Sequence, residues 1–80
     1  MVQSARSMLS KMNQSFVIAN GQRISIELPS SLEAFLIAQN LRPRSVVVEH
    51  NGEAVASSEF SRRDLIAGDR LEIVQIVAGG

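Results

Sequence analysis

Asn-Gly occurs twice in this chain, at Asn20-Gly21 and Asn51-Gly52, and each time it separates two runs rich in strand-forming residues. A two-residue type I′ hairpin needs positive φ at both central residues, which Asn tolerates and Gly adopts freely, so the pair is the strongest short-range signal for a strand reversal. Two hairpins are predicted. The first joins Phe16-Val17-Ile18-Ala19 to Arg23-Ile24-Ser25-Ile26-Glu27-Leu28. Alternation in the return strand puts Ile24, Ile26 and Leu28 on one face and Arg23, Ser25 and Glu27 on the other. The second joins Ser45-Val46-Val47-Val48-Glu49-His50 to the short run Glu53-Ala54-Val55-Ala56. A lone hairpin cannot hide its own apolar face, so the segment between the two must cover them.

That segment reads as a helix. Pro29 closes the first hairpin, and Ser30 stands three residues before Glu33, the spacing of a capping box. The spacing predicts a helix from there to about Leu41, with Leu32, Phe35, Leu36 and Leu41 on one apolar stripe and Pro43 beyond its end. Residues 57–67 carry Phe60 and Leu65 among polar neighbours and are predicted to form a 3₁₀ turn over the core edge, followed by a third turn at Gly68-Asp69. Arg70 to Val77 reads as the last strand. One sheet with one helix across it is an α+β layout.

Composition narrows the chemistry. A chain of 80 residues makes a single domain with a thin core, which cannot easily enclose the cleft a small-molecule enzyme needs. The chain is expected not to be an enzyme itself, and chemistry is expected to be performed on it by a larger protein. No Cys means no disulfide, no thiolate ligand and no nucleophilic thiol, and fits a reducing compartment such as the cytoplasm. One His cannot build a metal site alone, so no metal is expected. Eight basic residues balance eight acidic ones, and there is no Tyr or Trp, so no nucleic-acid groove or stacking platform is visible. Apolar stretches of five residues or fewer fall far short of a bilayer span, so no membrane is expected either.

The two ends differ in kind. Residues 1–15 hold Arg6, Lys11 and four Ser with no acidic residue, and read as a flexible extension to a domain over 16–80. The same acid-poor pattern is that of a plastid or other organelle transit segment, and Met8 and Met12 leave room for a later start. At the other end Val77-Ala78-Gly79-Gly80 tapers to a bare glycyl carboxylate and reads as a mobile tail. Without Cβ atoms, Gly79 and Gly80 can pass through a channel that admits little more than backbone, so Gly80 is the candidate reactive residue.

In the last strand Leu71 and Ile73 are placed toward the helix and Glu72 and Val74 away from it, after which the alternation is lost through Ile76 and Val77. Phe16, Ile18 and Val47 likewise fall opposite the expected core set Val17, Ala19, Val46 and Val48. Ile18, Val47, Val74 and Ile76 are therefore expected to form an exposed apolar docking patch next to the tail. His50 is expected to pack, Asp69 to serve its turn, and Arg62 and Arg63 to be a solvated charge pair.

These residues together resemble the ThiS family of sulfur carriers, ubiquitin-like β-grasp proteins of thiamine biosynthesis. The resemblance covers essentially all of 16–80. It rests on the Asn20-Gly21 hairpin, Leu28-Pro29 before a capped helix, Glu49-His50-Asn51-Gly52-Glu53, Phe60 where relatives often have Trp, Gly68-Asp69, and the ending Val74-Gln75-Ile76-Val77-Ala78-Gly79-Gly80. It implies a β-grasp fold with a mixed sheet of four to five strands and one main helix, monomeric when free. It also implies a cycle on Gly80. A ThiF-type adenylyltransferase would adenylate the carboxylate with ATP and Mg²⁺. Sulfur from a donor such as a cysteine desulfurase would replace AMP to leave 1-thioglycine. ThiG, the thiazole synthase, would take the sulfur. No cofactor would bind the carrier itself.

Three rival readings share the fold. The small subunit of molybdopterin synthase also ends in Gly-Gly, but the present domain is shorter and its first hairpin closes at once. A ubiquitin-like protein modifier is disfavoured as a chain-builder because the only Lys is Lys11, in the extension. A plain interaction module would make the Gly-Gly end incidental.

Overall fold

The computed structural model describes residues 15–76. Strands β1 (Ser15–Ala19) and β2 (Gln22–Ile26) form the first hairpin, and β4 (Val46–His50) and β5 (Glu53–Val55) the second. Both reversals have the type I′ signature: φ is 51° and 80° at Asn20 and Gly21, and 53° and 85° at Asn51 and Gly52. Strand β7 (Arg70–Gln75) lies between the hairpins, parallel to β1 and antiparallel to β4, so the sheet order is β2-β1-β7-β4-β5. This is the expected α+β class with a mixed, five-stranded sheet.

Helix α1 (Leu32–Ala38) crosses one face of that sheet. Its Leu32, Phe35 and Leu36 are buried with Val17, Ala19, Val46, Val48, Val55, Phe60, Leu65 and Leu71. Each large side chain so buried stabilises the fold by about 1.5–3 kcal/mol relative to leaving it in water. Ile24, Ile26 and Leu28, placed on one face by their alternation, pack on the margin of this core together with Leu41 and Ile73.

Four local expectations are corrected. The helix is capped by Ser31, whose hydroxyl accepts from the Ala34 N–H at 3.0 Å, and Ser30 is drawn into strand β3 (Ser30–Ser31). The 57–67 segment contains a 3₁₀ turn only over Ser57–Arg62, then strand β6 (Asp64–Leu65), which pairs with β3. The helix stops at Ala38, three residues early, in a Schellman motif: Asn40 takes φ 62°, its N–H donates to Ile37 O at 2.9 Å, and Leu41 N–H donates to Leu36 O at 2.9 Å. Leu41 then folds onto the margin of the core, half-buried as the apolar stripe predicts but outside the helix. The last strand ends at Gln75, with Ile76 N–H donating to Ser45 O at 2.7 Å, and Val77 lies outside the described residues.

Candidate functional site

Strand β7 leads to the C-terminus, and its start is held by a buried polar network. Asp69 and His50 are 4% and 8% exposed. Asp69 Oδ2 accepts from the Ile66 N–H at 2.8 Å and from His50 Nε2 at 2.7 Å, while Oδ1 accepts from Asn51 Nδ2 at 3.0 Å. Arg63 Nε–H donates to His50 Nδ1 at 2.9 Å. An accepting Nδ1 carries no proton, so the ring is the Nε2–H tautomer and the donor in its contact with Asp69. Burial pushes the Asp69 carboxyl pKa up, but the hydrogen bonds from Ile66, Asn51 and His50 outweigh it and hold it below the usual aspartate value. Arg63 continues outward to Glu53 and, at 3.8 Å, to Glu59; its hydrogen bond and charge hold the Glu53 carboxyl below the usual range.

The expectation of a solvated Arg62–Arg63 pair is therefore corrected for Arg63, which is half-buried and threaded through this network. Asp69 does serve its turn, closing the 66–69 loop, and His50 is packed as expected. Neither reading anticipated that the two would meet. The signal available was the pairing of Asn51-Gly52 with Gly68-Asp69 as two turns at one end of the sheet, which only the β4–β7 register makes visible.

Both hairpin asparagines also grip β7. Asn20 Nδ2 donates to Ile73 O at 3.0 Å and its Oδ1 accepts from the Ile73 N–H at 2.7 Å, so a side-chain amide supplies the rung that β1 would have supplied had it continued. Asn51 Oδ1 accepts from the Arg70 N–H at 2.8 Å, and the Asn51 N–H donates to Arg70 O at 2.8 Å.

Beyond this anchored part the outer face of the sheet is open. Val47 and Val74 stand directly opposite each other in the β4–β7 ladder and are 51% and 64% exposed, with Ile76 next along at 52%. Ile18 does not join them. It is half-buried opposite Arg70, four residues before Val74, which places it about 13 Å away along the strand. The parallel β1–β7 register sets this distance, and Arg70, Glu72 and Glu49 occupy the face between. Phe16, on the same face, lies under the Arg23 guanidinium at 3.8 Å. The expected patch thus consists of Val47, Val74 and Ile76, contiguous with the chain's exit. Val77, Ala78, Gly79 and Gly80 lie outside the described residues. Among the described residues no three His, Asp or Glu side chains converge as a metal site.

The comparisons with known proteins agree with this geometry. The ThiS family model matches residues 11–80. A thiazole synthase of Paramagnetospirillum magneticum is 33% identical over 64 residues, which are 80% of this chain and 20% of that protein, so the chain spans about a fifth of the curated relative's length. The crystal structure of a thiamine biosynthesis protein (ThiS) from Geobacter metallireducens superposes with a TM-score of 0.69, covering 81% of this chain and 99% of that one at 24% identity. The shared fold is the ubiquitin-like β-grasp. With the match extending over most of its length, the chain belongs to the ThiS family.

Proposed function

We propose that the protein is the sulfur carrier of thiazole formation in thiamine biosynthesis, and that Gly80 is the residue on which sulfur travels. The observation that carries this reading is that the family match runs to Gly80, the residue to which β7 leads. A carboxylate is a poor electrophile because its charge repels nucleophiles. Attack of the Gly80 carboxylate on the α-phosphorus of ATP, held with Mg²⁺ by a ThiF-type adenylyltransferase, expels pyrophosphate and gives an acyl adenylate with a good leaving group. The persulfide sulfur of a donor such as a cysteine desulfurase then forms the C–S bond as the C–O bond to AMP breaks, giving an acyl disulfide. A thiol of the partner system, itself oxidised to a disulfide, cleaves the S–S bond to free the thiocarboxylate. The resulting thiocarboxylate is a soft nucleophile kept on protein. In this reading the carrier is a cosubstrate and ATP and Mg²⁺ belong to its partner.

Thiazole synthase is the proposed acceptor. Support comes from the curated relative of that name, in which a segment like this chain is part of a much longer polypeptide. Val47, Val74 and Ile76 are the proposed docking surface, and Val77, Ala78 and Gly79 the arm that enters the partner. Incubation with a ThiF-type enzyme, ATP and a sulfur donor is expected to raise the intact mass by about sixteen daltons, the exchange of one oxygen for sulfur at an activated carboxylate. Thiazole formation on adding the synthase separates this carrier from a molybdopterin-synthase subunit. An unchanged mass contradicts the reading.

A further inference from the structure

We propose that Glu49 and Glu72, with the Val47–Val74 row beside them, form a two-part docking face whose occupant is a cationic surface of the enzyme that adenylates Gly80; the inference rests on the carrier reading above.

Glu49 and Glu72 are exposed and stand directly opposite each other on β4 and β7, one rung from Val47 and Val74 on the same outer face. Like charges at directly opposed positions on neighbouring strands weaken a sheet. Scattered surface carboxylates need no account, but these two stand face to face on neighbouring central strands. Among the described residues neither carboxylate has an ion-pair partner: Arg70, two residues before Glu72 on the same face, makes no salt bridge to either, Arg63 is engaged by Glu53 and Glu59, and Arg23 lies over Phe16. A cation set between the two carboxylates relieves the repulsion, and the open Val47–Val74 row supplies apolar area that excludes water from the contact and strengthens it.

Charge complementarity selects the activating enzyme as the occupant. That enzyme must hold the triphosphate of ATP and the Gly80 carboxylate close together, so the surroundings of its pocket have to be electropositive to offset both. Residues 16–80 carry six basic groups against eight acidic, and Glu72 of the acidic pair lies on the strand that leads to Gly80. Such a face is drawn tail-first into an electropositive site. Steering of this kind raises the association rate without slowing release, which suits a carrier that must leave after every round.

The test measures KM and kcat for adenylation by a purified ThiF-type enzyme at low and physiological salt, with the melting temperature of each carrier variant. Glu49→Gln combined with Glu72→Gln is expected to raise KM about tenfold at low salt and flatten its salt dependence, with kcat unchanged and the carrier melting no lower than the parent. Glu72→Lys, which turns the repulsive pair into an attractive one, is expected to melt higher and dock more weakly still. If Gly80 is adenylated but KM and its salt dependence ignore both variants, the docking inference is overturned while the carrier reading stands. Charge dependence seen only with the thiazole synthase overturns the choice of partner. Failure of the parent chain to be adenylated at all overturns both.

Discussion

At its start β7 is enclosed. Leu71 is 1% exposed, the Arg70 N–H is taken by the Asn51 side chain, and Asp69 just before it collects three hydrogen bonds. Three residues beyond Leu71, Val74 is 64% exposed, and Gln75 and Ile76 follow it into the open. The two ends of one strand thus differ in how they are held, one anchored and one open. A pull on the exposed end would work against a strand whose root is tied to both hairpins and to the 66–69 turn. The division also separates stability from activity: substitutions at the root are expected to act on folding, and those at the tip on transfer.

The largest expected effect is at the root. Asp69→Ala removes the acceptor of the Ile66 N–H, the Asn51 amide and the His50 ring at once and leaves the buried His50 donor and two part-buried donors without that partner, a loss of about 3 kcal/mol. Thermal melting reads this as roughly 4–8 °C for each kcal/mol in a domain of this size. The same carboxylate has a pH signature. Its pKa is lower folded than unfolded, so its contribution is complete above the ordinary aspartate value of about 3.9 and is lost as pH falls through the lower folded value. Urea midpoints followed through that acidic window are expected to drop more steeply for the parent chain than for Asp69→Asn.

At the tip the expectation inverts. Gly79→Val is expected to leave melting unchanged and to slow adenylation on the order of 10²-fold, because a side chain at that point holds the carboxylate away from ATP. Comparable adenylation rates for the two proteins would break the comparison. Asn20→Ala falls between the extremes. It loses both bonds to the Ile73 backbone and places Ala at positive φ, at a cost of about 1–2 kcal/mol by chemical denaturation, with transfer unaffected once the domain is folded. Val74→Ser is the mildest: stability should change by less than about 0.5 kcal/mol, while the KM for docking rises.

How much of this was legible in the sequence follows the range of the interaction concerned. The hairpins could be read because Asn-Gly carries its own backbone preference. The core stripe of Leu32, Phe35 and Leu36 could be read because helical period is local. The helix start was misplaced by one residue because Ser30 and Ser31 are both competent caps, and pairing of β3 with the distant β6 decides between them. The early stop was in principle readable, since Asn40 is a residue that tolerates the left-handed C-terminal position. Nothing local announces that Asn20 reaches Ile73, fifty-three residues on, or that Arg63, His50 and Asp69 form one chain of hydrogen bonds. The exposed apolar row was legible as broken alternation at Val74 and Ile76. Inclusion of Ile18 presumed a register that the parallel β1–β7 pairing does not have.

ATP–pyrophosphate exchange by a ThiF-type enzyme is the most direct test, because it reports reversible formation of the acyl adenylate alone. The parent chain is predicted to support exchange, and the same chain with Gly80 converted to a C-terminal amide to support none. Equal exchange from both would mean that the reacting group lies elsewhere, and would contradict the assignment of Gly80.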